Sequence, residues 1–230
     1  MHAMILAAGK GSRLGERTRE MPKPMIEVNG KPILEKNIVM CKNIGITKIF
    51  INLFHLPQKI MDYFGDGSQY GVEIKYNLED VLLGTAGAVL GFKEDLIKKP
   101  FFVIYGDNYT DFDLNILRQF NEKHYADMSI LFHRRDDISR SGIANFSKNN
   151  RLLDFVEKPT NLKKIPGWVN AGIYYIFNTE IINKIRLFDD FAHDFIPTLI
   201  EQKYRIYGLK KDVDLLAVDT PELLNQVIKK

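Results

Sequence analysis

A glycine-rich loop and two well-placed cations give this chain the means for chemistry on a phosphate. The stretch LAAGKGSRLGERTREMPKPM (6–25) holds three glycines, three arginines and two lysines directly after a short apolar run. A strand that feeds such a loop presents backbone N–H groups without side-chain obstruction, which suits phosphate oxygens. Gly9 and Gly11 supply that backbone, and Ser12 and Arg13 follow at once. Lys23 stands between Pro22 and Pro24; each proline fixes its own φ, and the pair biases the lysine to an extended conformation. Arg13 and Lys23 aimed at one loop would neutralise a polyphosphate, and with it the charge that builds at phosphorus during transfer. The plain alternative is a surface loop with solvated charges. Much further along, Asp107 follows the wholly apolar run Phe101–Tyr105. That places a carboxylate at the C-terminal edge of a sheet, where α/β proteins bind ligands.

Two familiar phosphate motifs fail on the residues themselves. The dinucleotide fingerprint needs glycine at position 14, where the chain has Leu14. The P-loop fails because Gly30-Lys31 is followed by Pro32, and position 25 is a methionine. An NAD-dependent oxidoreductase is disfavoured by the first of these failures.

The elements that must carry the loop read as an alternation of strands and helices. Strands are expected over Ala3–Ala7, Lys48–Asn52, Val72–Tyr76 and Phe101–Tyr105. Helices are expected over Pro32–Ile44, closed by Gly45, and over Pro57–Phe64, with a helical Thr85–Phe92. Continuous apolar strands suit a parallel sheet buried on both faces. The second half is more mixed: strands over Met128–His133, Ile143–Phe146, Leu152–Val156 and Val169–Phe177, helices near Glu180–Ile185 and Asp194–Gln202, then strands Arg205–Leu209 and Leu215–Val218 and a terminal helix from Pro221. The expected class is α/β: a doubly wound, Rossmann-like, mixed and mainly parallel sheet flanked by helices. One domain over 1–230 is expected, with a first half at about 1–110 and a more mixed second half at about 111–230.

Composition narrows the classes further. The 230 residues are 45% hydrophobic and 27% charged, an ordinary globular balance. A net charge of +3, from 32 Lys and Arg against 29 Asp and Glu, gives no nucleic-acid footprint. The single cysteine, Cys41, rules out an internal disulfide and a cysteine-based zinc site, and sits in an apolar run as a packing residue. The five histidines show no metal-ligand spacing. No apolar run reaches the roughly 18 residues of a membrane span, and the opening residues lack a leader sequence. A cytoplasmic protein without nucleic-acid or membrane partners is expected.

The motifs together resemble those of the sugar-1-phosphate nucleotidyltransferases, the nucleotide-sugar pyrophosphorylases. Gly9, Gly11, Ser12, Arg13, Pro22 and Lys23 fall on the opening signature of that family. LLGTAGAV (82–89) resembles its base-binding loop, and YGDN (105–108) its metal-aspartate motif. FVEKP (155–159) and VNAGIYYI (169–176) resemble its sugar-side motifs, in the family's order. The resemblance implies in-line attack by a sugar 1-phosphate oxygen on the α-phosphorus of an NTP, with pyrophosphate leaving and no covalent enzyme intermediate. It assigns Arg13 to the departing β- and γ-phosphates and Lys23 to the α-phosphate. It gives the backbone of Leu6, Ala8 and Gly9 to base and ribose, with Gly11 and Ser12 in the same loop, and Glu79, Gly84 and Thr85 to the base. It makes about 1–110 the nucleotide-binding half and about 111–230 the sugar-phosphate-binding half, where it implies Glu157 and Asn170 for hydroxyls, Lys158 for the sugar phosphate, and Gly142 as room for the ring. Asp107 and Asp219 would hold Mg²⁺. The plain alternative for Asp219 is a helix start ahead of Thr220-Pro221-Glu222, and for Glu157-Lys158 a solvated pair at a strand end. Trp168 reads as packing or a sugar stack, and His193-Asp194 as a helix opening.

The chain also departs from the family pattern. Gly15–Arg17 replaces the proline that often follows the Arg-Leu pair, leaving Arg17 as a third phosphate contact or a solvated charge. LLAVDTPE stands where many relatives carry Trp-x-Asp-x-Gly. No hexapeptide repeats follow, so no fused β-helix is expected, and a homo-oligomer is left open. LGTAGA favours a guanylyltransferase acting on mannose or D-glycero-D-manno-heptose 1-phosphate. The alternatives are uridylyl, thymidylyl or cytidylyl transfer to another sugar 1-phosphate, such as N-acetylmuramate 1-phosphate, and a nucleotide-sugar-binding protein without turnover.

Overall fold

The structure, a computed structural model, describes residues 1–139, 141–159 and 164–218, and of Arg13 and Arg17 the backbone alone. Among the described residues the strands are β1 (His2–Leu6), β2 (Glu27–Val28), β3 (Lys31–Pro32), β4 (Lys48–Leu53), β5 (Glu73–Leu78), β6 (Phe101–Tyr105), β7 (Asn108–Thr110), β8 (Met128–Arg135), β9 (Ile143–Phe146), β10 (Leu152–Val156), β11 (Gly167–Ile176), β12 (Ile206–Lys210) and β13 (Leu215–Ala217). The α-helices are α1 (Ile33–Asn43), α2 (Pro57–Phe64), α3 (Lys93–Leu96), α4 (Leu114–His124) and α5 (Ile196–Glu201). The expected class is the one observed: mixed, mainly parallel strands flanked by helices. Chain contacts group into two compact units, one of Met1–Leu82, Val103–Asp113 and the segment from Asp214, the other of Leu83–Phe102 and Leu114–Val213.

In the first unit β1 runs parallel to β4, and β4 parallel to β5. Their apolar side chains belong to the core: Ala3, Met4, Ile5, Ile49, Phe50 and Ile51 are fully buried. Each large side chain so buried contributes roughly 1.5–3 kcal/mol. Helix α1 follows Pro32, which serves as its N-cap, and ends where Gly45 turns back at positive φ to donate to the Lys42 carbonyl. Its buried Glu35 accepts from the hydroxyls of Tyr63 and Tyr70 and pairs with Lys31, tying α1 to the end of α2 and the turn beyond. Strand β13 pairs antiparallel with β7 and returns the chain to the end of β6.

In the second unit β8 pairs antiparallel with β11 and parallel with β12, and β9 and β10 form a separate antiparallel hairpin. Asp127, just before β8, accepts from the backbone and guanidinium of Arg205 and from Asn178. That staple aligns the starts of β8 and β12.

Several local expectations change. Lys23 is not extended. It opens a 3-10 turn, Lys23–Met25, because the bond from Met25 N–H to the Pro22 carbonyl (2.8 Å) outweighs the bias imposed by Pro24. The helical reading of Thr85–Phe92 shortens to a 3-10 segment, Gly87–Phe92, before α3. The helix near Glu180–Ile185 is also 3-10, Thr179–Lys184. A π-helical turn, Phe191–Phe195, precedes α5 and is capped by Asp190 rather than opened by His193-Asp194. Trp168 lies inside β11, opposite Arg134, rather than ahead of the strand. Helix α4 has no counterpart in the sequence reading. Its buried Asn121 bonds Ser129 of β8, so a polar pair interrupts the apolar period that would have announced the helix. The terminal helix expected from Pro221 lies outside the described residues.

Candidate active site

The glycine-rich loop leaves β1 at Leu6 and is shaped by side chains as much as by its glycines. Gly11 has φ +63, and a Cβ there would stand 2.8 Å from Thr18 Cγ2 and 3.3 Å from Lys23 Cβ. Only glycine fits both the backbone and the space. Thr18, itself buried, shares its one hydroxyl proton between the carbonyls of Gly11 (3.0 Å) and Gly15 (3.2 Å). Leu14 packs with Val28, Ile33 and Val218, anchoring the segment to the core. At Gly9 the surroundings are the opposite: an added Cβ would meet nothing within 4 Å. Ser12 opens the 3-10 segment Ser12–Thr18 and is exposed.

Lys23 reaches Asp107. The ammonium and Asp107 Oδ2 form a close ion pair in which both side chains are mostly buried. The turn that carries Asp107 is clamped on its backbone. The Gly106 amide donates to the Leu6 carbonyl (2.9 Å), the Gly106 carbonyl accepts from Asn37, and the Asp107 carbonyl accepts from the Val218 amide. A Cβ on Gly106 would lie 2.7 Å from the Leu6 oxygen, so glycine is what lets the end of β6 close on the end of β1. Val218 is the last described residue, and Asp219 lies outside the described residues. So does the side chain of Arg13.

Glu79 completes this cluster. It is buried at the end of β5, and its Oε1 accepts from Asn52 Nδ2 (2.8 Å). Asn52 Oδ1 in turn accepts from the Ala7 amide (3.0 Å). The carboxylate expected at the base is therefore wired to the first residue after β1.

In the second unit the loop over 83–89 is locked from behind. Gly84 has φ +81, and an added Cβ would press on the Asp189 oxygen and lie 2.6 Å from the Phe188 oxygen. The amides of Ala86 and Gly87 both donate to the Asp189 carbonyl at 3.0 Å. Thr85 donates its hydroxyl to Asp190 (2.6 Å) and accepts from the Phe191 amide (2.8 Å). Its one proton is committed, so its side chain anchors the loop and leaves ligand contacts to the backbone.

The four sugar-side residues come together around β9 and β10. A Cβ on Gly142 would collide with Glu157 Oε2 and lie 2.8 Å from Phe155 Cζ. The room left by this glycine is thus filled by the Glu157 carboxylate. Lys158, at φ +46, pairs with Glu157 Oε1 at 3.2 Å, and its amide donates to the Ser141 carbonyl. Asn170 donates its backbone N–H to Gly142 and its side-chain N–H to Tyr174 Oη, at 2.8 Å each.

Among the described residues no three His, Cys, Asp or Glu side chains gather as a metal cage. One carboxylate at a strand end, with phosphate and water oxygens as the remaining donors, is nevertheless a set that Mg²⁺ accepts. The sequence reading missed Asn52, Thr18, His55, Asn37 and Asp190. Only Asn52 and His55 carried a signal, as polar residues at the end of an apolar strand.

A family model described as nucleotidyl transferase matches residues 2–214. The chain is 32% identical over 229 residues to a UTP–glucose-1-phosphate uridylyltransferase of Synechocystis sp., covering 93% of this chain and 59% of that protein. It is 32% identical over 196 residues to a D-glycero-alpha-D-manno-heptose 1-phosphate guanylyltransferase of Campylobacter jejuni, covering 84% and 83%. It spans little more than half the length of the uridylyltransferase and of several other curated relatives. Among solved structures, a proposed glucose-1-phosphate thymidylyltransferase from Bacillus anthracis shares the fold with a TM-score of 0.89 at 21% identity, over 100% of this chain and 94% of that one.

Proposed function

Because the chain belongs to the nucleotidyl transferase family, we propose that it transfers the nucleoside monophosphate of an NTP to a sugar 1-phosphate, releasing pyrophosphate and forming an NDP-sugar. The observation that carries this reading is Lys23 beside Asp107 under the Gly11 turn. One cation and one carboxylate meet there beside a glycine-rich loop, a set of charges suited to stabilising transfer at phosphorus.

Lys23 binds the α-phosphate and counters the charge that grows on it. Arg13 holds the β- and γ-phosphates as they leave, its planar fork suiting two oxygens at once. The backbone of Leu6, Ala8, Gly9, Gly11 and Ser12 takes base, ribose and phosphate oxygens, and Gly84 and Thr85 bound the base. Glu157 and Asn170 orient the sugar hydroxyls, Gly142 gives Glu157 its place, and Lys158 holds the sugar phosphate. Asp107, with Asp219, would hold Mg²⁺, which when bound lowers the repulsion between two approaching phosphates. The chain acts as one nucleotidyltransferase domain in the cytoplasm, without nucleic-acid or membrane partners. No described helix is long and apolar enough to cross a membrane.

The nucleotide is GTP. A carboxylate only accepts hydrogen bonds, and guanine offers adjacent N1–H and N2–H donors to one. Uracil and thymine present a single N–H between two carbonyl oxygens, which a carboxylate repels. Glu79, whose Oε1 already accepts from Asn52, offers acceptors alone and so suits guanine better than uracil or thymine. The sugar is manno-configured: mannose or D-glycero-D-manno-heptose 1-phosphate.

Pyrophosphate release across five NTPs and the 1-phosphates of mannose, heptose, glucose, N-acetylglucosamine and N-acetylmuramate tests the reading. GTP with a manno-configured acceptor should lead. A lead for UTP with glucose 1-phosphate would move base and sugar to the Synechocystis relative's. Nucleotide binding with silence across all pairs would make the protein a sensor.

A further inference from the structure

The end of β4 touches the glycine-rich loop at three successive points. Asn52 Oδ1 takes the amide of Ala7, at the loop's start. The Phe54 ring lies 5.3 Å from the Lys10 ammonium, at its middle. His55 Nε2 lies 2.7 Å from the carbonyl of Thr18, at its end. A carbonyl only accepts, so this nitrogen carries the proton. Thr18 passes the restraint inward, because its hydroxyl bonds the carbonyls of both Gly11 and Gly15 and its methyl packs over Gly11. Three residues within four positions thus span a loop of twelve.

We propose that Asn52, Phe54 and His55 form a clamp that sets the anion-binding loop before the nucleotide arrives, with His55 a positioning residue acting through Thr18. Glycines at 9, 11 and 15 give the loop freedom it would lose on binding. Fixing the backbone of a residue costs roughly 1–2 kcal/mol, and a clamp meets that cost during folding rather than at each binding event. Asn52 also holds Glu79, so one strand end sets the phosphate loop and the base reader together. The role in catalysis rests on the nucleotidyl-transfer reading, whereas the clamp itself can be measured without it.

Two variants separate the donor from the bulk: His55→Leu removes the N–H, and His55→Gln keeps an N–H at the same reach. In the ligand-free protein, hydrogen exchange at the Leu14 and Arg19 amides, which close the loop's turns, should quicken roughly tenfold in His55→Leu. The β1 amides of Met4 and Ile5 should not change, and His55→Gln should stay near the parent. Unchanged exchange in His55→Leu, or a His55→Gln as loose as His55→Leu, overturns the clamp. In turnover, His55→Leu should raise KM for the NTP roughly tenfold and leave KM for the sugar phosphate alone. An equal rise in both would overturn the loop-specific role. A parent protein that releases no pyrophosphate from any pair would overturn the nucleotidyl-transfer reading, while the exchange experiment would still decide the clamp.

Discussion

Lys23 and Asp107, 84 positions apart in the chain, form a close ion pair. Each is also the residue assigned to a charge of opposite sign to its own: Lys23 to phosphate, Asp107 to a cation. Binding of a metal–nucleotide complex would exchange one internal ion pair for two external ones. The pair holds both side chains in place beside the glycine-rich loop.

Lys23→Ala should therefore lower turnover roughly 100- to 1000-fold while the protein stays folded. Lys23→Arg should recover little, because a planar guanidinium does not replace a point charge packed against Gly11. Steady-state rates beside circular dichroism check both. Near-normal turnover in Lys23→Ala would remove the lysine from the reacting phosphate.

Two glycines of the same loop should answer differently to one added methyl. Gly11→Ala has a strained φ and Thr18 in its way, and should cost roughly 1–3 kcal/mol of stability. Gly9→Ala meets nothing, and should leave stability within about 0.5 kcal/mol of the parent while weakening nucleotide binding. Chemical denaturation and calorimetry with the NTP separate the two effects. Equal stability losses would contradict the geometry.

Glu79→Gln tests the base reader. An amide offers a donor beside an acceptor and suits the N3–H and carbonyl of uracil or thymine. The preference for GTP over UTP, as a ratio of kcat/KM, should fall roughly tenfold or more. An unchanged ratio would place base selection elsewhere.

The second unit should be sensitive to mild acid through His133. Burial, with the nearby Arg135, pushes its imidazole down to about 4, against a smaller upward pull from Asp212. Unfolded, the ring takes its proton near 6.5. Between these values the unfolded chain binds more protons, so stability rises with pH and is lost as pH falls from about 6.5 to about 4. The full loss is roughly 3 kcal/mol. Thermal melts across that range should show a slope that His133→Leu flattens, and a slope that persists in the variant would assign it to other groups.

The sequence announced individual groups better than their relations. The glycine loop, Lys23 and Asp107 stand out because their chemistry restricts residue type, whereas Gly142, Glu157, Lys158 and Asn170 are singled out only by the family resemblance. The Lys23–Asp107 pair is not legible, since nothing in local spacing couples residues that the neighbouring strands β1 and β6 bring together. Gly142 shows the same limit: its small size is legible, but not that Glu157 fills the space. Thr85 belongs to a motif that resembles a base-binding loop, and nothing local shows that its hydroxyl is committed to Asp190, 105 positions away. Helix α4 was lost because Asn121 satisfies Ser129 where an apolar residue would have marked the period.

The central claim is transfer of a guanylyl group to a manno-configured sugar 1-phosphate. Phosphorus NMR of the protein with Mg²⁺, GTP and mannose or D-glycero-D-manno-heptose 1-phosphate tests it most directly. The account predicts that the GTP and sugar-phosphate signals fall together, and that a GDP-sugar diester and pyrophosphate appear in equal amounts. GTP left intact with both acceptors, or pyrophosphate formed without the diester, would contradict it.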